Sequence, residues 1–252
     1  MKRFACSFWI SFLLICSKIV AFLITFFLQA GSSRYHFVEG FSSHPHHNTY
    51  LQGLAFEEAQ DYSRARELYE LARESTTQHP TACARLWDFY QFGRPGVARN
   101  PERAYTCVSN GALSSCVHCC GALSLHMAFG WGMHRLDLCS GVSKIDVPQA
   151  VSLAKASAQA GSPYGQYALA TFYFGGIGVT QSSKDMFMLY SMAARQGLGR
   201  AKVALGACFK DGIGVDVNLS QAATCFEAAS ELGVEAAAVL LEDVLDQIRK
   251  QS

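Results

Sequence analysis

Gly165-Gln-Tyr-Ala-Leu-Ala-Thr-Phe-Tyr-Phe-Gly-Gly-Ile-Gly-Val179 returns 36 residues later as Ala201-Lys-Val-Ala-Leu-Gly-Ala-Cys-Phe-Lys-Asp-Gly-Ile-Gly-Val215. Ala168, Leu169 and Tyr173 stand in register with Ala204, Leu205 and Phe209. Apolar residues four apart share one face of a helix. Each segment runs into a Gly-x-Gly-Val loop, where glycine accepts the positive φ of a helix C-terminus and valine turns back to the core. A second helix is expected over 181–196 and over 219–232. There Ala193-Ala194 and Ala228-Ala229 let neighbouring helices approach closely. Outward from this pair runs a small-residue register: Ala65, Ala104, Ala150, Met186 and Ala222, at steps of 39, 46, 36 and 36 residues. Seven residues after each come Ala72, Gly111, Ser157, Ala193 and Ala229, and Gly161, Gly197 and Gly233 close the last three units. A period in the thirties built on small residues predicts an all-α fold, a right-handed solenoid of four to five helical hairpins.

An earlier unit has the same grammar: a helix over 82–90, the loop Gly93-Arg-Pro-Gly-Val97, and a helix over 101–110 with Pro101 in its first turn. The 46-residue step that follows places an enlarged inter-helix loop at 130–142, which carries Trp131. The first unit, 49–77, lacks the glycine-rich loop and has its second helix over 61–73. An amphipathic helix over 235–250, with Ala237, Leu240, Leu241, Val244 and Ile248 on one side, is expected to cap the stack. The solenoid is thus assigned to residues 49–252.

Residues 1–30 read as a signal-anchor or a signal peptide. Lys2 and Arg3 precede the apolar run Phe4–Ala30, and Lys18 is its one charge. The stretch Phe4–Leu28 is long enough to span a bilayer. A lysine at the midplane costs roughly 2.5–3.5 kcal/mol on insertion scales, which the surrounding Phe, Leu and Ile offset. Leu28 makes a poor small-residue position for cleavage near Ala30. With Lys2 and Arg3 on the cytoplasmic side, the repeats face the lumen or the exterior; a removed leader leaves them secreted. Residues 31–48 read as a flexible linker. His44-Pro-His-His47 lies in it without a cysteine or carboxylate at ligand spacing.

Lysine and arginine number 21 against 20 acidic residues, a balance that gives no nucleic-acid surface. Ser152-Leu-Ala-Lys155 matches a hydrolase pattern but lacks its companion motifs. Adjacent carboxylates such as Glu57-Glu58 diverge on a helix, and no glycine loop is spaced to cradle phosphate. The expectation is a chain without catalytic residues, cofactor, metal or small-molecule substrate. Asn218-Leu-Ser220 is a glycosylation sequon and equally a helix N-cap.

The Gly-Ile-Gly-Val loops, the Ala-Ala pairs and the closing glycines resemble the Sel-one-like repeat family, relatives of the tetratricopeptide repeat. The resemblance covers roughly residues 49–240 and is strongest over 150–238. It implies a non-catalytic scaffold or adaptor that recruits a protein or peptide, with the first helices of each hairpin lining a concave face. Tyr164, Tyr167 and Trp131 are the candidate anchors, since large aromatics dominate binding hot spots. Membrane-anchored or lumenal members act in endoplasmic-reticulum quality control, which implies a membrane tether through Phe4–Leu28. The alternative is a secreted or cell-surface protein, stabilised by disulfides, that contacts another cell or host. A cysteine-rich subset of the family forms disulfides at about the spacing of Cys107 and Cys116. Such a bridge would staple adjacent helices and contribute about 2–3 kcal/mol. Cys107 also aligns with the core positions Leu153 and Leu189. Cys116-Val-His-Cys119-Cys120, with His126 or Cys139, carries a zinc reading, a thiol-redox reading and a plain buried-face reading. The chain has 10 cysteines, which together with the apolar start favour an oxidising compartment.

Overall fold

The computed structural model describes residues 46–74, 79–129 and 146–251. Phe4–Leu28, most of the linker, Trp131 and Cys139 lie outside the described residues. The described residues form eleven helices: α1 His47–Glu58, α2 Tyr62–Glu74, α3 Pro80–Phe92, α4 Pro101–Leu113, α5 Val117–Phe129, α6 Val147–Gln159, α7 Pro163–Gly175, α8 Ser183–Arg195, α9 Gly199–Asp211, α10 Leu219–Glu231 and α11 Glu235–Gln251. Five hairpins, α1–α2 to α9–α10, stack in chain order and α11 packs on the last. Among the described residues no helix is long and apolar enough to cross a membrane. The stack begins inside the expected linker, at His47, because its ring stacks on His79, with centroids 5.8 Å apart.

The small-residue register is the contact seam. Ala65, Ala104, Ala150, Met186 and Ala222 are buried, and so are Ala72, Gly111, Ser157, Ala193 and Ala229. The tightest crossing is between α5, α6 and α7. A Cβ at Gly165 would collide with Ser157 Oγ and come within 2.5 Å of the Ala158 backbone nitrogen, so only glycine lets these helices meet. Helix starts are fixed by side-chain caps. Asn100, Asp146, Ser162, Ser182 and Asn218 each accept from the backbone N–H three residues on, and each such cap is worth about 1 kcal/mol.

Gly161, Gly197 and Gly233 close their hairpins with φ of 82°, 84° and 72°. Ser115 occupies the same place after α4, with φ 59°, although the sequence offers no glycine there. A non-glycine residue pays about 1–2 kcal/mol in this region. Ser115→Gly is therefore expected to stabilise the fold by about 0.5–1 kcal/mol, read as a rise in the urea midpoint at unchanged slope. An unchanged or lower midpoint refutes the strain.

The first helices α3, α5 and α7 pack on one another as well as on their hairpin partners. Contacts also join distant hairpins. Arg200 at the start of α9 pairs with Asp88 of α3 (3.3 Å). Gln60 Nε2 donates to the Glu231 carbonyl (3.1 Å) across 171 residues of sequence. The Tyr62 phenol rests on Gly233, where a Cβ would collide with it. The first and last hairpins therefore touch.

Candidate functional site

The face made by the first helices is filled from within. Trp87, 1% exposed, donates from Nε1 to His126 Nε2 (2.7 Å) and meets Tyr164 edge-on with centroids 5.7 Å apart. Tyr164 also packs edge-on against His118 and is only 4% exposed. This corrects the expectation that Tyr164 is a free anchor: its ring is held by Trp87 and His118 in the core. Tyr167 is half-buried against Tyr190, 5.6 Å between centroids. Asp88, the residue after Trp87 on α3, is ion-paired to both Arg94 and Arg200. Burial, partly offset by Asp88, lowers the Arg200 guanidinium to about 10, so it stays charged near neutral pH.

His118 Nδ1 lies 2.9 Å from Ser162 Oγ. Burial and, secondarily, the Arg85 charge push its pKa down from 6.5 to about 4. Between those values the unfolded chain binds a proton that the folded chain refuses. Stability is therefore full above about pH 6.5 and falls as the pH drops towards 4, by about 3 kcal/mol in all. Denaturant midpoints measured from pH 7 to 4 should show this slope, and His118→Gln should flatten it. An equal slope in the variant excludes His118 as its source.

An open cleft of about 640 Å³ lies between α2, α3 and α4. Helix α2 contributes Arg66, Glu70, Leu71 and Arg73, α3 contributes Tyr90, and α4 contributes Arg103 and Cys107. Its centre is preorganised. Arg73 donates to Glu70 (2.7 Å), the Tyr90 hydroxyl also donates to Glu70, and Arg103 donates to that hydroxyl (3.3 Å) with its guanidinium over the ring. Burial pushes the Glu70 carboxyl up, but the Tyr90 hydroxyl and Arg73 outweigh it and hold the carboxyl below its ordinary range. Arg73 offsets Glu70, and the rim carries the Arg66 and Arg103 guanidinium groups, the Glu67 carboxylate and the exposed Leu71. Glu67 lies 3.5 Å from Arg66 at the edge. A cleft with three guanidinium groups against two carboxylates and an apolar lip can seat a protein side chain that is acidic beside an apolar neighbour. The repeat pattern does not foretell it. The signal was the charge spacing Arg66, Glu70, Arg73 along one face of α2.

Cys107 forms part of the floor of this cleft, and burial pushes its thiol up to about 12. Cys107 and Cys116 are both buried. The Cys116 thiol is hydrogen-bonded to Cys119, its neighbour one turn on along α5. The one-turn spacing of a helix start explains this. The zinc reading loses its histidines: His118 turns to Ser162 and His126 to Trp87. Among the described residues no group of three His, Cys, Asp or Glu side chains is placed to hold a metal ion. Ser152 and Lys155 are exposed on α6. Asn218 caps α10, its side chain accepting from the Gln221 N–H (3.0 Å).

Comparison with known proteins agrees with this architecture. The family model for the Sel1 repeat matches residues 49–75, 80–108, 163–198 and 199–234. The α5–α6 hairpin lies between the matched segments and packs like the others. Similar solved structures include a Sel1 repeat protein from Oxalobacter formigenes (19% identical, 77% of this chain and 73% of that one, TM-score 0.47). A protective antigen of uropathogenic Escherichia coli displaying an SLR fold is 22% identical over 79% of this chain and 41% of that one, with TM-score 0.46. Helicobacter pylori cysteine rich protein B is 28% identical over 53% of this chain and 94% of that one, with TM-score 0.40. No curated protein matches the chain. Sel1 repeat proteins act in protein–protein interaction, and with just over half of its residues matched to such repeats, this chain belongs to the Sel1 repeat family.

Proposed function

We propose that this chain is a non-catalytic scaffold that holds a partner protein in the cleft between α2 and α4, and that Phe4–Leu28 tethers it to a membrane with the repeats on the lumenal side. The cleft carries the reading: it is an open, charged and preorganised concavity, whereas on the first-helix face Trp87 and Tyr164 are buried. The partner surface it fits is an acidic side chain beside an apolar one, received by Arg66, Arg103 and Leu71. The tether and a place in endoplasmic-reticulum quality control rest on the apolar N-terminal run and on the likeness to anchored members of the family.

Reversing two charges tests the cleft. Partners that co-purify with the full chain should be depleted about tenfold or more by Arg66→Glu with Arg103→Glu, while thermal unfolding changes by less than about 1 kcal/mol because both sit on the rim. Unchanged capture rejects the cleft as the docking site. Protease protection of a C-terminal tag in intact microsomes, with carbonate extraction beside it, tests the tether. A protected and membrane-retained tag supports it. A protected but extractable chain means the apolar run is removed, and an accessible tag sinks the lumenal orientation.

A further inference from the structure

Helix α11 turns one face inward and leaves the other without a covering element. The inner face packs on α10 and includes the buried Ala237 and Val244. Glu235, Val239, Glu242 and Asp246, at steps of four, three and four residues, share the opposite side and are all exposed. Val239 is 69% exposed. Asp246 is paired with Arg249 (2.8 Å), and Asp243, at the edge of the stripe, is paired with Lys210 (2.5 Å). Among the described residues Glu235 and Glu242 have no such partner. Seven residues of helix separate these two carboxylates by about 10 Å, with Val239 between them. The basic residues Arg249 and Lys250 lie in the last turn of the helix, away from this stretch.

We propose that the cleft between α2 and α4 receives α11 of a second copy of this chain, with Glu235 and Glu242 pairing with Arg66 and Arg103 and Val239 resting on Leu71. The proposal rests on the reading of that cleft as a docking site and names its occupant. Charge complementarity carries it. The cleft holds one guanidinium group in excess, Arg66, Arg73 and Arg103 against Glu67 and Glu70. Arg73 is engaged by Glu70 (2.7 Å), so Arg66 and Arg103 are the cations left at the rim. Arg103 is already positioned by its hydrogen bond to the Tyr90 hydroxyl (3.3 Å). The α11 stripe offers two carboxylates that lack a cation. Each surface also exposes one large aliphatic residue, Leu71 at 56% and Val239 at 69%. A cation–apolar–cation rim thus meets an acid–apolar–acid stripe. Cleft and helix are unlike surfaces on identical chains, so the contact joins the last helix of one stack to the first hairpins of another.

The test co-expresses two full-length chains with different tags, one carrying Leu71→Cys and the other Val239→Cys, and treats the detergent extract with a short bis-maleimide. Chains with neither introduced cysteine give the background from the native thiols. The expected product joins the two tags, and its cross-linked peptides span positions 71 and 239. Arg66→Glu with Arg103→Glu in the first chain should lower it about tenfold or more, and so should Glu235→Arg with Glu242→Arg in the second. Combining the two reversals restores opposite charges and should bring the product back. A product at background, a product indifferent to either reversal, or a loss that the combination does not repair overturns the proposal. If the product is absent while the cleft reversal still strips other captured proteins, the cleft remains a docking site and the second copy is the wrong occupant. If the reversal changes neither, both readings fall. The pair without charge reversals decides the matter even if a reversed variant fails to fold.

Discussion

Trp87→Ala is expected to destabilise the fold by about 3–5 kcal/mol, and to lower the melting temperature by about 10 °C for a chain of this length. Among the described residues Trp87 is the largest fully buried side chain, and it lies on the packing seam of three first helices. It meets Phe92 of its own helix (5.5 Å), His126 of α5 (6.2 Å) and Tyr164 of α7 (5.7 Å) edge-on. Truncation therefore opens a cavity whose walls come from three helices, each held by its own hairpin, and such walls collapse poorly. It also removes the N–H that His126 Nε2 accepts from, and a buried acceptor that loses its donor costs about 1–3 kcal/mol. Trp87→Phe separates the two losses: it keeps much of the ring volume and removes the donor. Urea unfolding followed by far-UV circular dichroism should rank wild type, Trp87→Phe and Trp87→Ala in falling order. An alanine variant within 1 kcal/mol of wild type refutes the packing argument.

Asp88→Ala should cost about as much, 3–5 kcal/mol by analogy with other broken buried ion pairs, for an electrostatic reason. Asp88 is the shared anion of Arg94, itself buried, and Arg200, whose side chain is 21% exposed. Arg94 is further fixed by donating to the Gly93 carbonyl (3.1 Å) and by lying over Phe89. Removing the carboxylate leaves two guanidinium groups together near the middle of the stack, one of them with almost no access to water. A compensating variant, Asp88→Ala with Arg94→Leu and Arg200→Leu, should recover most of the loss, because an apolar replacement of a buried ionic cluster is often neutral. If the triple variant is no more stable than Asp88→Ala alone, the cost lies in packing rather than charge. Because Asp88 and Arg200 belong to hairpins that are not neighbours, the loss should also broaden unfolding, which nearest-neighbour stacking alone would not produce.

The hairpins were legible in the sequence because the period that encodes them is local. Ala65 to Ala72 or Ala193 to Gly197 can be read within a few turns of helix, and these residues are buried or left-handed as the spacing requires. The second hairpin hid one such residue, since Ser115 takes a conformation that its chemistry does not advertise. What was not legible depends on how the hairpins curve. Tyr164 reads as an exposed aromatic beside its helix start, and only the approach of α3 to α7 turns it into core. Cys107 lies on the floor of the cleft, and Cys119 lies one turn after Cys116 along α5. The repeat pattern does not reveal the cleft, because its walls, α2 and α4, share no sequence motif and its one signal is the charge spacing along α2.

An array whose first and last members touch keeps count of its own length. Repeat proteins ordinarily gain and lose units by duplication or deletion, since each unit asks only for a neighbour on either side. Here the lean of Tyr62 on Gly233 and the reach of Gln60 to Glu231 hold only for the present number of hairpins. A unit inserted between α8 and α9 would keep every adjacent interface intact and still strip Asp88 of Arg200 and part the two ends. Tandem duplication, the usual route by which such chains lengthen, would thus disrupt the closure even as it extended the stack.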